Sequence, residues 1–418
     1  MKIAFLGGMF PKENLEEILK KSSGVVQSAA DALQKSIIEG LGAYDLDVEI
    51  INLPFIGSYP KRYSDIFSQD NSFTIKSHYG RKNTIAGQNI RFFNLSLVKY
   101  ASIYRAAKEG LLRWAKKSDD SPRIIVVYSL FNSLLKAALA VKRRFKNTYV
   151  ICIVPDLAQY MSAGGNSALR KWYKNYNVKK GERYIESVDG FIILSKHMAG
   201  PLKIATRPYE VIEGIYNYFD EVRKEKNIIN SSKSVLYAGT LAKRYGIMRL
   251  VNAFHKLNNE DARLVICGEG DAKPEIEKIA EQDKRISLLG NIPRSEVLKL
   301  AGSVCVLVNP RTPEGEFTKY SFPSKTMEYL ASGTPTIMYK LPGIPEEYYN
   351  YSTALEDTSE DALQEKISDI LSWSTEKRNE FGKNAREFIL KQKNPEIQIG
   401  KLIRLIDTIC QCSKTRCC

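Results

Sequence analysis

The feature that most constrains this 418-residue chain is an alternation of strand-like and helix-like segments that runs through the first half and then starts again. Apolar runs at residues 2–6, 48–53, 124–128, 149–154 and 191–194 have the length of buried strands. Between them lie segments at helical spacing, such as Val26, Ala30, Leu33 and Ile37, or Leu134, Leu135, Ala138 and Leu139. Parallel strands need long crossovers, and helices supply them, so repeated βα units predict a doubly wound parallel sheet. The pattern resumes with strands expected at 235–238, 264–267, 286–289, 304–308 and 336–339. Helices are expected at 247–257, 274–282, 324–332 and 362–373.

The expected fold class is therefore α/β, with two Rossmann-like doubly wound lobes. The first spans 1–215 and the second 235–385, joined by a polar linker at 216–234 that shows no periodicity. Helices over 386–409 are expected to return to the first lobe, and 410–418 form a cysteine-rich tail expected to be disordered. Residues 54–96 break the alternation. A long irregular insertion in a compact lobe is usually functional or mobile.

Composition narrows the setting. Hydrophobic residues make up 44% and charged residues 26%, as in a globular protein. No apolar run approaches the ~18 residues of a membrane span, and the N-terminal run is too short for a signal peptide, so a cytoplasmic chain is expected. The net charge is +15, and residues 1–210 hold 32 Lys and Arg against 18 Asp and Glu, so nearly all the excess lies there. Its clusters are Lys142-Arg143-Arg144 with Lys146, Lys116-Lys117 and Lys179-Lys180. A basic lobe suits an anionic membrane surface, where each nearby cation contributes about 1 kcal/mol. This suggests a peripheral position at the inner face of the plasma membrane. No nucleic-acid-binding motif stands out, and no nucleic-acid partner is expected.

Of seven cysteines, Cys152, Cys267 and Cys305 fall in strand-like runs and read as reduced core residues, while Cys410, Cys412, Cys417 and Cys418 crowd the tail. The three histidines, His78, His197 and His255, lack metal-ligand spacing, and no Asp-x-Asp clamp sits in a plausible loop. A metal-independent reaction without a cofactor is expected.

Ligands of open α/β sheets bind at the carboxyl ends of the strands. In the second half, Gly239-Thr240-Leu241-Ala242-Lys243-Arg244 follows a strand directly. Its glycine allows close approach to the backbone, and Lys243 and Arg244 supply charge for a diphosphate. Gly268-Glu269-Gly270 lacks the third glycine of a dinucleotide fingerprint but can border a nucleotide base. The strongest segment runs from Tyr320 through Phe322, Pro323, Ser324, Lys325 and Glu328 to Gly333. Ser324 reads as an N-cap and Gly333 as the terminator of a short helix. Lys325 then sits in a first turn whose dipole disfavours a cation, a conflict that a bound phosphate resolves. Glu328 lies one turn deeper on the Ser324 face, where its carboxylate can accept hydrogen bonds from a ribose diol. A plain Lys325–Glu328 ion pair, at about 0.2–0.5 kcal/mol, is the simpler alternative.

These residues resemble the retaining GT-B-fold glycosyltransferases of family 4, the glycosyl transferases group 1. Their pattern is a strand ending in Gly-Arg-Leu, then Lys-Gly, then Glu-x7-Glu running into Ala-x-Gly-x-Pro-Val. Gly239 and Leu241, Phe322 and Glu328, and Ala331, Gly333 and Pro335 match it, and the resemblance extends from Val235 to Met338. The family's Arg falls on Thr240, its Lys on Tyr245 and its first Glu on Tyr320. The Phe-Pro-Ser-Lys entry is similar to transferases that build bacterial surface polysaccharides. The resemblance implies two lobes facing a central cleft and a nucleotide-diphosphate sugar donor, UDP or GDP unresolved, on the second lobe. It also implies retention at the anomeric carbon and a saccharide or lipid-linked acceptor on the first lobe. There, Gly7, Gly8 and Gly24 would line the cleft, and Asp156 would orient or deprotonate the acceptor hydroxyl. An Asx-type turn after Pro155 explains Asp156 equally well. A sugar-nucleotide epimerase of the same fold and a non-catalytic nucleotide-sugar-binding subunit are the competing readings.

Overall fold

The structure is a computed structural model, describing residues 1–24, 26–79, 84–117, 121–157, 179–218 and 233–415. The chain forms two compact units: Met1–Ile215 together with Pro395–Cys418, and Tyr216–Asn394.

Unit 1 carries an eight-stranded sheet built from β1 (Lys2–Gly7), β2 (Asp47–Asn52), β3 (Ser72–Lys76), β4 (Thr84–Asn89), β5 (Arg123–Tyr128), β6 (Thr148–Val154), β7 (Gly190–Ile193) and β8 (Tyr209–Val211). The order is β3-β4-β2-β1-β5-β6-β7-β8, parallel except for the antiparallel β3–β4 pair. The strand order reverses between β1 and β5, which opens a crevice at their carboxyl ends. Apolar residues of β1, β5 and β6 face both layers of helices and are buried along almost their whole length, as a doubly covered sheet requires.

Segment 54–96, read as irregular, contains the β3–β4 hairpin. Its periodicity is weak because Gly87 occupies a position where the Phe73 ring packs; a Cβ there would lie 2.4 Å from that ring. The first two strands are separated by two helices, Lys12–Lys21 and Ser28–Leu41, so Val26 precedes the helix in which it was expected. A further helix, Lys99–Lys116, leads into β5.

Unit 2 carries a six-stranded, wholly parallel sheet: β9 (Ser234–Ala238), β10 (Arg263–Cys267), β11 (Ile286–Gly290), β12 (Val306–Asn309), β13 (Thr336–Tyr339) and β14 (Thr353–Leu355). The order β11-β10-β9-β12-β13-β14 reverses between β9 and β12. The expected linker lies mostly outside the described residues. At its start, Tyr216 packs in unit 2 beside Phe322 and Phe388.

The C-terminal return differs from expectation. Helix Thr375–Gln392 belongs to unit 2, where Phe388 and Ile389 share a core with Leu330 and Tyr348. Only Pro395–Thr415 joins unit 1, burying Ile399, Leu402 and Ile406 against its sheet. The break comes at Pro395, which cannot extend the preceding helix. That last helix runs through Cys410, which packs at the core edge, and through Cys412. The expected disordered tail is thus helical to Thr415, and Cys417 and Cys418 lie outside the described residues. Cys152, Cys267 and Cys305 are buried.

Candidate functional site

In unit 2 the loops at the strand-order reversal are fastened to each other through backbone. After β9, Gly239 N–H donates to Cys267 O (2.9 Å), Leu241 N–H to Glu269 O (2.9 Å), and Ala272 N–H to Leu241 O (2.9 Å). Gly268, at φ +138°, has no room for a side chain, since a Cβ would fall 1.9 Å from Gly239 O. At Gly270 one would meet Leu241 O at 2.3 Å. These two glycines are required by loop-on-loop packing. Across the crevice, Gly246 at φ +79° brings the end of the β9 loop onto Pro310, just after β12.

The helix Lys325–Ser332 is pinned to the end of β9. Tyr329 Oη, fully buried, accepts from Ala238 N–H (2.8 Å) and donates to Ala238 O (3.1 Å). Ser324 does not cap with its side chain. It is already helical at φ −53° and ψ −30°, because the turn begins with Pro323 O accepting from Thr326 N–H (2.9 Å). Phe322 is 8% exposed and packs against Tyr348, with ring centroids 5.2 Å apart, so its ring anchors the helix entry in the core.

The Glu328 carboxylate is shared by two cations. Arg294 Nε donates to Oε1 (2.8 Å) and Lys325 Nζ to Oε2 (2.8 Å). Burial pushes this carboxyl up, but Lys325 and Arg294 outweigh it and hold the group below the ordinary glutamate range. Lys325 also acts on the Cys267 thiol, which burial raises to about 11 against the pull of that ammonium. The simple Lys325–Glu328 pair is therefore present, with Arg294 added from the helix Arg294–Ala301. Lys243 is not free either: it is ion-paired with Glu275, and its N–H donates to Asp271 Oδ1 (3.0 Å).

One residue of this crevice gave no clear signal in the sequence. Arg311 follows β12 by two positions, and its guanidinium Cζ lies 5.3 Å from the Tyr245 ring centroid and 4.7 Å from that of Phe317. Nη2 donates to Ser321 Oγ (2.8 Å), while the buried Nε has no hydrogen-bond partner among the described residues. Burial lowers its pKa, and the neighbouring Arg244 adds to that. Arg244 lies on the same tyrosine, its Cζ 4.9 Å from the ring centroid and Nη2 3.2 Å from the hydroxyl. Among the described residues neither guanidinium is ion-paired with a carboxylate. Two such cations at a strand-order reversal form an electrostatic well for an anion. Tyr320 closes the turn Glu316–Lys319 beside them, and the backbone carbonyl of Thr240 accepts from Tyr237 Oη (2.8 Å).

In unit 1, the backbone at and after Gly8 is bonded to side chains of its own unit. The N–H groups of Gly8, Met9 and Phe10 donate to Gln34 Oε1, Asn52 Oδ1 and Asp31 Oδ1 at 2.8, 2.8 and 2.7 Å. Cβ atoms at Gly7 and Gly8 would collide with Gln34 and the Phe55 ring. Gly24 sits at φ +95° on the surface with nothing near its α-carbon side. Asp156 follows β6 at the carboxyl edge, and partial loss of water around its carboxyl raises its pKa above the ordinary aspartate value. Its charge and that of Asp31 both act on the Tyr128 hydroxyl at the end of β5, whose pKa burial raises first. Asp156 and Asp31 thus both lie near the β1–β5 reversal.

The basic clusters lie elsewhere. Helix Asn132–Arg144 leaves the end of β5 and ends before the start of β6, so Lys142, Arg143 and Arg144 collect at the amino edge of the sheet, with Lys142 paired to Asp189 (2.7 Å). Lys116 and Lys117 end a helix at the same edge. Among the described residues no group of three or more His, Cys, Asp or Glu side chains is placed to hold a metal ion, and no helix is long and apolar enough to cross a membrane.

Comparison with known proteins bears on the fold. Residues 219–388 match the family model described as glycosyl transferases group 1. No curated protein sequence matches the chain. Solved structures match over nearly the whole length. The sucrose-phosphate synthase of Thermosynechococcus elongatus does so at 17% identity and a TM-score of 0.60, over 98% of this chain and all of that one. HepE of Anabaena, solved in complex with UDP, gives 12% and 0.61, over 98% and 100%. TarM of S. aureus, in complex with fondaparinux, α-GlcNAc-glycerol and UDP, gives 12% and 0.57, over 97% and 99%. The family match thus covers a group 1 glycosyltransferase domain over residues 219–388, and the solved structures show the GT-B fold for the chain.

Proposed function

We propose that this chain transfers a sugar, with retention of anomeric configuration, from a nucleotide-diphosphate sugar to a saccharide acceptor that is lipid-linked, in surface-polysaccharide or glycoconjugate assembly at the cytoplasmic membrane face. The observation that carries the proposal is the pair Arg244 and Arg311 at the β9–β12 reversal, guanidiniums without carboxylate partners among the described residues, one of them largely withdrawn from water. A diphosphate satisfies both through charge-assisted hydrogen bonds, and the two guanidiniums stabilise it as it leaves the sugar, so no metal is needed to neutralise it. The adjacent start of helix Lys325–Ser332 contributes Lys325 and free N–H groups. The ribose diol binds Glu328, displacing Arg294 or Lys325 from one carboxylate oxygen. Asp156 at the carboxyl edge of unit 1 receives the acceptor hydroxyl. Its raised pKa suits a group that takes up a proton during transfer. The UDP seen in HepE and TarM supports a nucleotide donor.

Tyr320, standing where the family pattern has its first Glu, favours one competing reading: a nucleotide-sugar-binding subunit without turnover. A thermal-shift screen with UDP, GDP, ADP and their sugar conjugates, followed by a transfer assay over a panel of lipid-linked acceptors, separates the two. A ligand at 100 times its dissociation constant stabilises the fold by about 2.7 kcal/mol. Binding with turnover supports the transferase, binding without turnover supports the subunit, and no nucleotide response refutes both.

A further inference from the structure

Nine large apolar side chains are exposed among the described residues, and six of them gather on one part of unit 1: Leu19, Ile66, Phe67, Leu97, Val98 and Tyr100. Leu97 is 94% exposed, a position that gains nothing from the fold. Backbone pairing joins the segments that carry them. Ser64 N–H donates to Lys21 O (3.0 Å), Asn94 N–H to Ile66 O (2.7 Å), and Val98 N–H to Leu95 O (3.0 Å). Phe67 and Phe93 stack edge to face at 5.3 Å.

This surface lies at the carboxyl edge of the sheet. Helix Lys12–Lys21 leaves the end of β1, and helix Lys99–Lys116 begins at that edge because it runs down to the start of β5. Ring contacts Tyr100–Phe131 (5.7 Å), Phe131–Phe55 (6.0 Å) and Phe55–Tyr128 (6.3 Å) connect the patch to the end of β5, near Asp156. Cations surround it. The Arg91 guanidinium lies 4.1 Å from the Phe67 ring centroid, and Lys20, Lys61 and Arg62 are exposed. On this side of the β3–β4 hairpin Lys61, Arg62 and Arg91 stand against Asp65, already paired with Lys21 (2.6 Å), and Asp70.

We infer that this patch docks on an anionic lipid bilayer, with Leu97 and Val98 entering the interface and the surrounding cations meeting headgroups. A second copy of the chain would bring the same cations face to face, which argues against self-association. The inference rests on the lipid-linked acceptor proposed above, and it moves the membrane face from the Lys142–Lys146 cluster to the opposite edge of the sheet. There a membrane-anchored acceptor meets Asp156 without having to cross the length of a strand, roughly 20 Å.

The test is cosedimentation of the full-length chain with vesicles containing phosphatidylglycerol and phosphatidylethanolamine, over a salt series, with pure phosphatidylcholine vesicles as the neutral control. The wild type binds the anionic vesicles, less so as salt rises. The exposed double variant Leu97→Asp/Val98→Asp loses at least about tenfold in binding, and Arg143→Glu/Arg144→Glu/Lys146→Glu changes it less than about threefold. Nucleotide-induced melting shifts stay the same in all three proteins, so a failure here is distinct from a failure of the donor site. No wild-type binding to any vesicle, or unchanged binding of the Leu97/Val98 variant, overturns the inference. So does a wild-type dimer that the same variant splits in the absence of vesicle binding.

Discussion

The Arg311 guanidinium lies over the Tyr245 ring, its Cζ 5.3 Å from the centroid, at the point where the strand order of unit 2 reverses. Tyr245 occupies the position that corresponds to the lysine of the family pattern, and the charge missing from that loop is carried by Arg311 on the next loop and Arg244 beside it. Holding a guanidinium partly out of water without a carboxylate costs the free protein stability, and an anionic ligand recovers it. Arg311→Ala is therefore expected to weaken binding of nucleoside diphosphates at least tenfold, about 1.4 kcal/mol or more, while the ligand-free melting temperature does not fall. Arg311→Lys, which loses the stacked planar fork, falls between the two. Titration calorimetry with the diphosphate and with the bare nucleoside checks this, since only the former loses affinity.

Glu328→Ala removes the proposed ribose contact and frees Lys325 and Arg294. Nucleotide affinity is expected to drop at least tenfold, again about 1.4 kcal/mol, with the nucleoside and the diphosphate affected alike. Calorimetric affinities equal to the wild type's would remove the ribose from this position.

Asp156 sets the acid side of the rate profile. Burial raises its carboxyl above the ordinary aspartate range, so the base form is lost as pH falls through that raised value. kcat/KM is expected to fall on the acid side with this group, and Asp156→Asn to abolish transfer and that dependence together. The linkage runs the other way for stability. A raised carboxyl stabilises the fold below its ordinary pKa, and the contribution is lost as pH rises through the raised value. Asp156→Asn is accordingly expected to melt higher than wild type at pH 7. Full transfer activity in this variant contradicts the assignment.

Lys99 is 7% exposed and donates to Ile56 O (2.6 Å), and burial lowers its pKa to about 8. The fold favours the neutral amine, so the unfolded chain binds more protons between pH 8 and the ordinary 10.5. Stability is expected to rise with pH above about 8 in the wild type and to lack that rise in Lys99→Met. Urea unfolding of both proteins from pH 7.5 to 9.5, which brackets the lower end of that window, measures the difference; parallel curves would show Lys99 charged throughout.

The periodic apolar runs made both sheets legible, because strands covered on both faces leave continuous patterns such as Ile124–Tyr128. The loop from Tyr320 to Pro335 was legible as a helix entry with a misplaced cation. Arg311 was not, because its meaning depends on β12 lying beside β9, and strand order is a tertiary fact absent from local pattern. Gly7-Gly8 read as cleft lining and Gly268-x-Gly270 as the border of a nucleotide base, because close packing of backbone and close approach of a ligand demand the same residue. The β3–β4 hairpin was hidden where Gly87 takes the place of an apolar side chain under Phe73. The apolar patch around Leu97 escaped periodicity altogether, since an exposed leucine breaks no local rule.

A crystal structure of the full chain grown with a nucleoside diphosphate sugar tests the central claim directly. The account predicts the diphosphate at the carboxyl ends of β9 and β12, within hydrogen-bond distance of Arg311 or Arg244, and the ribose at Glu328. Density for the ligand at another place in the chain, with this crevice holding only solvent, would contradict it.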